Sequence, residues 1–193
     1  MRELFRMVFV LTAICGISAL VLAYANKATR PAREYQLLKY VEEPSIREVL
    51  KDYDNDPIKD RVEIVIGRDE KGKPVKKTIF PAKKGGKLIG LAYASEGHGY
   101  HGTIEVMVGV DMNGRITGIS IMSHSETPGL GARIVEPGFR KQFQGMKLSD
   151  DLNLSTQGGK IDGVSGATHS SKGVVSAVRK ALEIFPKAKK EVS

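Results

Sequence analysis

A long apolar stretch near the amino end constrains this chain more than any other feature of its sequence. Residues 7–25 form nineteen consecutive positions without a charged side chain. At the helical rise of about 1.5 Å per residue, this length matches the roughly 30 Å hydrocarbon core of a membrane. The stretch therefore predicts one membrane-spanning helix at 7–25, preceded by a short tail at 1–6.

A cleaved signal peptide is the alternative reading of the same stretch. Arg2 and Arg6 would form its basic region, and Ala23 and Ala25 would form its cleavage signal. The apolar region is long for a signal peptide, which favours a retained anchor. Basic residues flank both ends of the stretch, so the charge pattern does not fix its orientation in the membrane.

The rest of the chain is long enough for one globular core. We divide it into a membrane-proximal helical and hairpin segment at 26–84 and a core at 85–193. The only cysteine, Cys15, lies inside the apolar stretch, which excludes disulfides and thiolate-bound metal from the globular part. Redox chemistry there would require an organic cofactor. The formal charge of +8 suits a phosphate-bearing ligand, an acidic membrane or a nucleic acid.

Local patterns in the sequence predict an α+β fold with a mainly antiparallel sheet and flanking helices. Five segments have the apolar pattern of β-strands: 62–66, 75–80, 87–94, 103–110 and 115–122. Turn sequences at 69–74 and 111–114 predict hairpins. Three segments have helical character: 35–53, interrupted or restarted at 44–45; 132–143, broken at 137–138; and 170–185. Eighteen of the 21 glycines lie between Gly85 and Gly173, where the backbone must form tight turns or approach a ligand.

The sequence DGVSGATHSS, at 162–171, joins a glycine-rich loop to the last predicted helix. A helix amino end offers unpaired N–H groups and a positive dipole, which together stabilise a phosphate. Small residues before Thr168 would let that phosphate reach the backbone. A plain serine or threonine cap at the helix start is the structural alternative.

This segment resembles the flavinylation motif of the FMN-binding domain family, which includes the RnfG and NqrC subunits of ion-translocating oxidoreductase complexes. The resemblance implies that FMN is joined to Thr168 by a phosphoester, which a flavin transferase installs from FAD. It also implies that the backbone beside Thr168 holds the phosphate, at Ser165, Gly166 and Ala167. The transferase would recognise these residues: Asp162, Gly163, Ser165, Gly166, Ala167 and Thr168.

A second motif, SETPGLGARI at 125–134, resembles the E-T-P-G-L-G segment of the same family. The turn at Pro128 and Gly129 is rigid, so it can aim neighbouring side chains at a bound group. The family implies that this loop lines the flavin site through Glu126, Thr127, Pro128, Gly129 and Leu130. A surface turn followed by a helix is the alternative.

A third and weaker match is GHGYHG at 97–102, which resembles a glycine- and tyrosine-containing loop of the family. Tyr100 is predicted to stack near the flavin. His98 and His101 lie in a loop without a carboxylate or cysteine partner, so we predict loop histidines and no metal site. His124 and His169 adjoin the two main motifs, where either can supply a hydrogen bond.

The resemblance implies an electron-transfer subunit with covalent FMN, working beside other Rnf-type membrane subunits between ferredoxin and NAD. It places the chain in the cytoplasmic membrane of a bacterium or archaeon, as a single-pass protein whose domain lies on the extracytoplasmic side. Nucleic acid has no part in this function. The alternatives are a stand-alone membrane-tethered flavin reductase, an NqrC-type subunit, and a basic phosphate- or nucleic-acid-binding module. The compact length favours the RnfG type over the NqrC type.

Overall fold

The structure is a computed structural model that describes residues 1–68 and 72–192. Part of the predicted turn at 69–74, namely residues 69–71, lies outside the described residues. The chain forms two compact units, Met1–Tyr40 and Val41–Ser193.

The first unit is dominated by one continuous helix, α1, at Arg2–Leu37. Among the described residues, Arg2–Arg30 is the one helical stretch long and apolar enough to cross a membrane, judged by length and composition. Its apolar side chains are exposed, as at Leu20 and Leu22. The predicted span at 7–25 falls entirely within this stretch. One π-helical turn follows at Leu38–Glu42.

The second unit is built on five antiparallel strands in the order β1-β2-β3-β4-β5. The strands are β1 at Val62–Arg68, β2 at Pro74–Lys84, β3 at Lys87–His98, β4 at Thr103–Asp111 and β5 at Ile116–Ser123. Each lies where apolar alternation predicts a strand, and each extends at least one residue beyond the predicted bounds. The α+β fold class with a mainly antiparallel sheet is confirmed.

The longest helix of this unit, α4 at Thr168–Val192, covers one face of the sheet. Its apolar stripe, including Val174, Val178 and Leu182, belongs to the same buried cluster as alternate residues of β4. The helix starts two residues earlier than predicted and continues through Pro186, beyond the predicted end at 185.

A short helix, α2 at Glu43–Val49, packs against β4 and β5. Glycines on these strands make room for it: a Cβ at Gly109 would lie 2.6 Å from the carbonyl oxygen of Val49, and one at Gly118 would lie 3.3 Å from its Cα. Since α2, β1 and β2 share the unit with β3 to β5, the predicted boundary between 84 and 85 does not follow the packing. The predicted helix at 35–53 is divided among α1, the π-helical turn and α2, and ends at Val49.

Short turns replace the helix predicted at 132–143. They are a 3-10 turn at Gly131–Val135, helix α3 at Pro137–Arg140 and a second 3-10 turn at Lys141–Phe143. Pro137 begins α3, where its fixed φ and missing N–H are tolerated. Phe139 and Phe143 remain buried, with their ring centroids 5.5 Å apart. The apolar spacing that predicts a helix is thus satisfied by irregular turns.

Candidate functional site

Three segments that are distant in sequence converge on one hollow. They are the tip of the β3–β4 hairpin, the loop after β5 and the start of α4. The hollow has a volume of about 280 Å³ and is lined by Tyr100, Glu126, Thr127, Leu130, Gly131, Gly166, Ala167, Thr168, His169 and Ser170. All three motifs found in the sequence contribute to this lining.

Most of the predicted site residues meet in this hollow. Those that line it are Tyr100, Glu126, Thr127, Leu130, Gly166, Ala167 and Thr168. The predicted residues outside its lining are Pro128, Gly129, Ser165, Asp162 and Gly163. Three further lining residues stood outside the predicted set of flavin contacts: Gly131, His169 and Ser170. His169 and Ser170 follow Thr168 in the first turn of α4, so this turn lines the hollow with three residues.

Thr168 is the first residue of α4, and its side chain is exposed. The turn before it is closed by a hydrogen bond from the Ala167 N–H to the Val164 carbonyl, at 2.9 Å. The Ser171 hydroxyl accepts from the Val164 N–H at 2.9 Å and donates to the Ala167 carbonyl at 3.0 Å. These bonds hold the Thr168 hydroxyl beside the unpaired N–H groups of the helix start.

Gly166 is the position in this turn that requires glycine. Its φ of +77° lies in the left-handed region, which side chains with a Cβ rarely adopt. A Cβ there would also lie 3.4 Å from Cδ2 of Leu130, a residue of the facing loop. Glycine therefore lets the loop before α4 and the loop after β5 approach each other across the hollow.

The loop after β5 is a compact turn with Gly129 at a φ of +75°. The Thr127 carbonyl accepts from the N–H groups of Leu130, at 3.2 Å, and Ala132, at 3.1 Å. This turn directs Leu130, which is 51% exposed, to the rim of the hollow. Pro128 and Gly129 shape the loop from outside the lining.

Tyr100 lies at the tip of the β3–β4 hairpin, lines the hollow and is 71% exposed. Its ring centroid is 4.8 Å from that of His101 in an edge-on arrangement and 6.0 Å from that of His169. His101 Nδ1 lies 3.4 Å from the Thr127 hydroxyl. An exposed aromatic ring and an exposed leucine thus flank the hollow, a suitable frame for a flat ring system.

Glu126 is 5% exposed and lies beneath this rim. Burial alone would raise the pKa of its carboxyl group. Hydrogen bonds from the Ser170 hydroxyl and from the backbone N–H groups of His101 and Tyr100 outweigh that effect and hold the pKa below its usual value. The Glu126 N–H donates to His124 Nδ1 at 3.2 Å. At neutral pH the site therefore contains a buried, fully engaged carboxylate.

The loop at 162–167 has one support that the sequence does not reveal. The side-chain amide of Gln142 donates to the Asp162 carbonyl at 3.1 Å and accepts from the Asp162 N–H at 2.7 Å. It thereby pairs with the backbone as a neighbouring strand would. Asp162 and Gly163 are exposed, away from the hollow, and remain accessible to another protein.

Comparison with known proteins identifies the family. A family model described as the FMN-binding domain matches residues 99–183, which contain the motifs at 125–134 and 162–171 and residues 99–102 of the third motif. The G subunit of the ion-translocating oxidoreductase complex of Methanosarcina acetivorans is 31% identical over 185 residues, which cover 94% of each chain. The G subunit of the proton-translocating ferredoxin:NAD(+) oxidoreductase complex of Clostridium ljungdahlii is 32% identical over 176 residues, covering 90% of this chain and 86% of that one.

The chain belongs to the RnfG family. The family predicted from the motifs is therefore confirmed. A solved structure of the C subunit of Na(+)-translocating NADH-quinone reductase from Parabacteroides distasonis resembles it with a TM-score of 0.53 and 24% identity. That match covers 79% of this chain and 88% of the other, and it supports the fold.

The residues of this RnfG-family chain fit an FMN group. The volume of the hollow, about 280 Å³, is slightly below the range of about 300 to 1,000 Å³ that is usual for small-molecule sites. A helix start suited to the phosphate and an apolar rim suited to the ring line the same hollow. The FMN expected from the motifs agrees with the family model that matches this region.

Proposed function

We propose that this protein is an electron-transfer subunit, carrying FMN, of a membrane-bound ion-translocating oxidoreductase complex. The observation that carries the proposal is the convergence of the three family motifs on one hollow beside the start of α4. Relatives that match almost the whole chain are named as G subunits of such complexes. FMN supplies one- and two-electron chemistry when bound, while the protein positions it.

We propose further that FMN is joined to Thr168 by a phosphoester. The Thr168 oxygen would form a bond to the phosphorus of the FMN half of FAD, as a flavin transferase breaks the pyrophosphate bond and AMP leaves. The threonine proton is lost in this step. Exposure of Thr168 and its place as the first residue of α4 support this assignment, since the hydroxyl is accessible and the helix start stabilises the added negative charge.

The surrounding residues have separable roles in this arrangement. The backbone at Gly166 and Ala167 approaches the phosphate, and Ser165 precedes that turn. Tyr100 and Leu130 bracket the ring from two sides, with Thr127 between them. The exposed Asp162 and Gly163 serve recognition by the transferase rather than contact with FMN.

The membrane arrangement follows from the same proposal. We place α1 as a single span in the cytoplasmic membrane of a bacterium or archaeon, with the FMN-binding domain on the extracytoplasmic side. Other Rnf-type subunits are its partners, with ferredoxin and NAD at the ends of the electron pathway. A covalent link retains the flavin on that side, where a dissociated cofactor would be diluted and lost.

Peptide mass spectrometry tests the attachment. The full chain is expressed with a flavin transferase, and we expect an FMN-sized adduct on the peptide that contains Thr168. Thr168→Ala should abolish the adduct. Thr127→Ala, which removes another hydroxyl from the same hollow, should retain it. An adduct on a different residue, or none on the native chain, contradicts the assignment.

The electron-transfer role has its own test. Membranes of the source organism that lack this chain should lose ferredoxin-dependent reduction of NAD. The native chain should restore that reduction, whereas Thr168→Ala should not. Restoration by Thr168→Ala to the native rate would contradict an obligatory role of the attached flavin.

A further inference from the structure

The carboxylate of Glu126 lies where the three segments of the site meet. Its Oε2 accepts from the Ser170 hydroxyl, in the first turn of α4. Its Oε1 accepts from the His101 N–H at 3.0 Å, at the tip of the β3–β4 hairpin. Glu126 itself belongs to the loop after β5. One side chain therefore joins all three segments.

The backbone encloses this carboxylate closely. A Cβ at Gly99 would lie 2.4 Å from Oε1, and a Cβ at Gly131 would lie 2.8 Å from Oε2 and 2.6 Å from the Ser170 oxygen. Real Cβ atoms do not approach so near, so a side chain at either position would displace the carboxylate from its hydrogen bonds. Both carboxylate oxygens of Glu126 accept hydrogen bonds from the chain and lie close to Gly99 and Gly131. Glu126 therefore has little remaining capacity to bind a ligand.

We propose that Glu126 is a positioning residue, which holds the start of α4 against the hairpin tip and so sets the separation between Thr168 and Tyr100 across the hollow. The flavin is then held by other residues, and Glu126 acts on it only through them. The identity of the ligand rests on the proposed function, whereas the connection among the three segments rests on hydrogen bonds within the chain.

Glutamine is the informative replacement because it keeps the size of the side chain. The His101 N–H can only donate, so the amide oxygen of Glu126→Gln must take the place of Oε1, and its NH₂ then faces the Ser170 hydroxyl, which can accept. The variant therefore keeps the shape of the network and removes the negative charge that strengthens its hydrogen bonds. Ser170→Ala removes one of the same bonds from the opposite partner. If the two residues act as a unit, their effects are not additive.

The chain contains a matched control pair. Glu48 on α2 accepts from the Ser120 hydroxyl on β5, the same pairing of residue types, and neither residue lines the hollow. Both Glu48→Gln and Ser120→Ala weaken a glutamate–serine bond elsewhere in the same unit. Glu48 also pairs with Arg140, so Ser120→Ala is the closer match and Glu48→Gln the more disruptive control.

Amide hydrogen exchange on the full chain in detergent, without flavin, tests the connection itself. We expect Glu126→Gln to speed exchange of the Tyr100 and His101 amides by about tenfold, the effect of losing the negative charge that strengthens the hydrogen bonds from both amides. Glu48→Gln should leave those two amides within about twofold of the native rate, as expected for a distant site. If the Tyr100 and His101 amides of Glu126→Gln exchange at the native rate, the proposal is wrong, whatever the ligand is.

The rate of FMN attachment by the transferase tests the positioning role. Glu126→Gln and Ser170→Ala should each slow attachment by about tenfold, and the double variant should be no slower than Glu126→Gln alone. The Glu48 and Ser120 variants should react at the native rate. If Glu126→Gln slows attachment while Ser170→Ala does not, Glu126 acts on the flavin directly and the proposal is wrong. A native chain that takes up no FMN contradicts the proposed function, and the exchange result still decides the role of Glu126.

Discussion

At the scale of single residues, two glycines determine how closely α4 approaches the sheet. A Cβ at Gly97 of β3 would lie 1.8 Å from the Gly173 carbonyl oxygen, and one at Gly173 would lie 2.7 Å from the His98 carbonyl oxygen. Both clashes are with backbone, which cannot move aside as a flexible side chain can. This contact brings the first turns of α4 beside the end of β3, and hence beside the hairpin tip.

Gly97→Ala should destabilise the protein by more than about 3 kcal/mol, because helix and strand would have to separate. The free energy of unfolding, measured in urea, checks this expectation. Gly67→Ala is the control, since Gly67 also lies in a strand, has an ordinary φ and has no atom within 4 Å of an added Cβ. The control should change stability by less than about 1 kcal/mol. Similar values for the two variants would show that the contact at Gly97 is easily relaxed.

The sequence reveals the site residues better than it reveals their partners. Thr168 and the 125–134 loop are recognisable because each motif is local. The partners of Glu126, in contrast, lie 25 positions away at His101 and 44 positions away at Ser170, so no local pattern indicates them. The motif at 125–134 therefore predicts Glu126 at the ligand site, where it does line the hollow, but gives no sign of the hydrogen bonds that its carboxylate accepts within the chain. Gln142 was not recognised for the same reason, since its partner Asp162 lies 20 positions away.

At the scale of elements, one hydrogen bond links the centre of β3 to the middle of α4. The Tyr93 hydroxyl donates to the Ala181 carbonyl oxygen at 2.8 Å, and the side chain is fully buried. Burial disfavours the phenolate and raises the pKa of Tyr93 well above its ordinary value. This tyrosine consequently keeps its proton in the folded protein under conditions in which the unfolded chain loses it.

Stability should therefore fall as the pH rises above about 10, the pKa of tyrosine in an unfolded chain. In that range the folded state binds more protons than the unfolded state, so the free energy of unfolding decreases with pH. Tyr93→Phe should lower the free energy of unfolding by about 1 kcal/mol at pH 7. Between pH 10 and pH 12, the free energy of unfolding of this variant should decrease less than that of the native chain. Urea unfolding at several pH values measures both effects.

Tyr100→Phe is the control for this experiment, since the exposed Tyr100 also loses a hydroxyl. Between pH 10 and pH 12, the free energy of unfolding of Tyr100→Phe should decrease as much as that of the native chain. An equal decrease in Tyr93→Phe would mean that other groups cause the loss of stability at high pH.

The strands were more predictable than the short helices, for a physical reason. Alternation along β4 and β5 reflects a sheet whose two faces have different surroundings, and that information is local. Between 131 and 143, the apolar residues have helical spacing, but Pro137 and the packing of Phe139 and Phe143 favour separate turns. The packing of α2 against β4 and β5 joins segments about 60 to 70 residues apart, which no periodicity indicates.

At the scale of the whole molecule, the two units place different demands on their surroundings. The apolar side chains of α1 are exposed along the candidate span, whereas the sheet and its helices bury their own apolar surface within Val41–Ser193. The second unit thus has the contacts of an independently folding domain. The first requires a membrane or detergent to cover it.

The fragment 41–193 should therefore be soluble, monomeric and folded, with cooperative urea unfolding at a midpoint close to that of the full chain in detergent. It should accept FMN from the transferase at the rate of the full chain. A shorter fragment, 62–193, is the control, because removal of α2 takes away the buried Ile46 and Val49. The free energy of unfolding of 62–193 should be several kcal/mol lower than that of 41–193, since each large buried side chain contributes about 2 kcal/mol or more. Aggregation of 41–193 in the absence of detergent would contradict the independence of the domain.

The scattered origin of the hollow has a consequence for how the protein matures. Its walls come from positions near 100, 130 and 168, and they meet only when β3, β4 and β5 have paired and α4 has docked. A transferase that depends on this neighbourhood has no substrate in a nascent or misfolded copy. Yellow colour would then mark correctly completed molecules, and defective ones would reach the membrane unable to carry electrons.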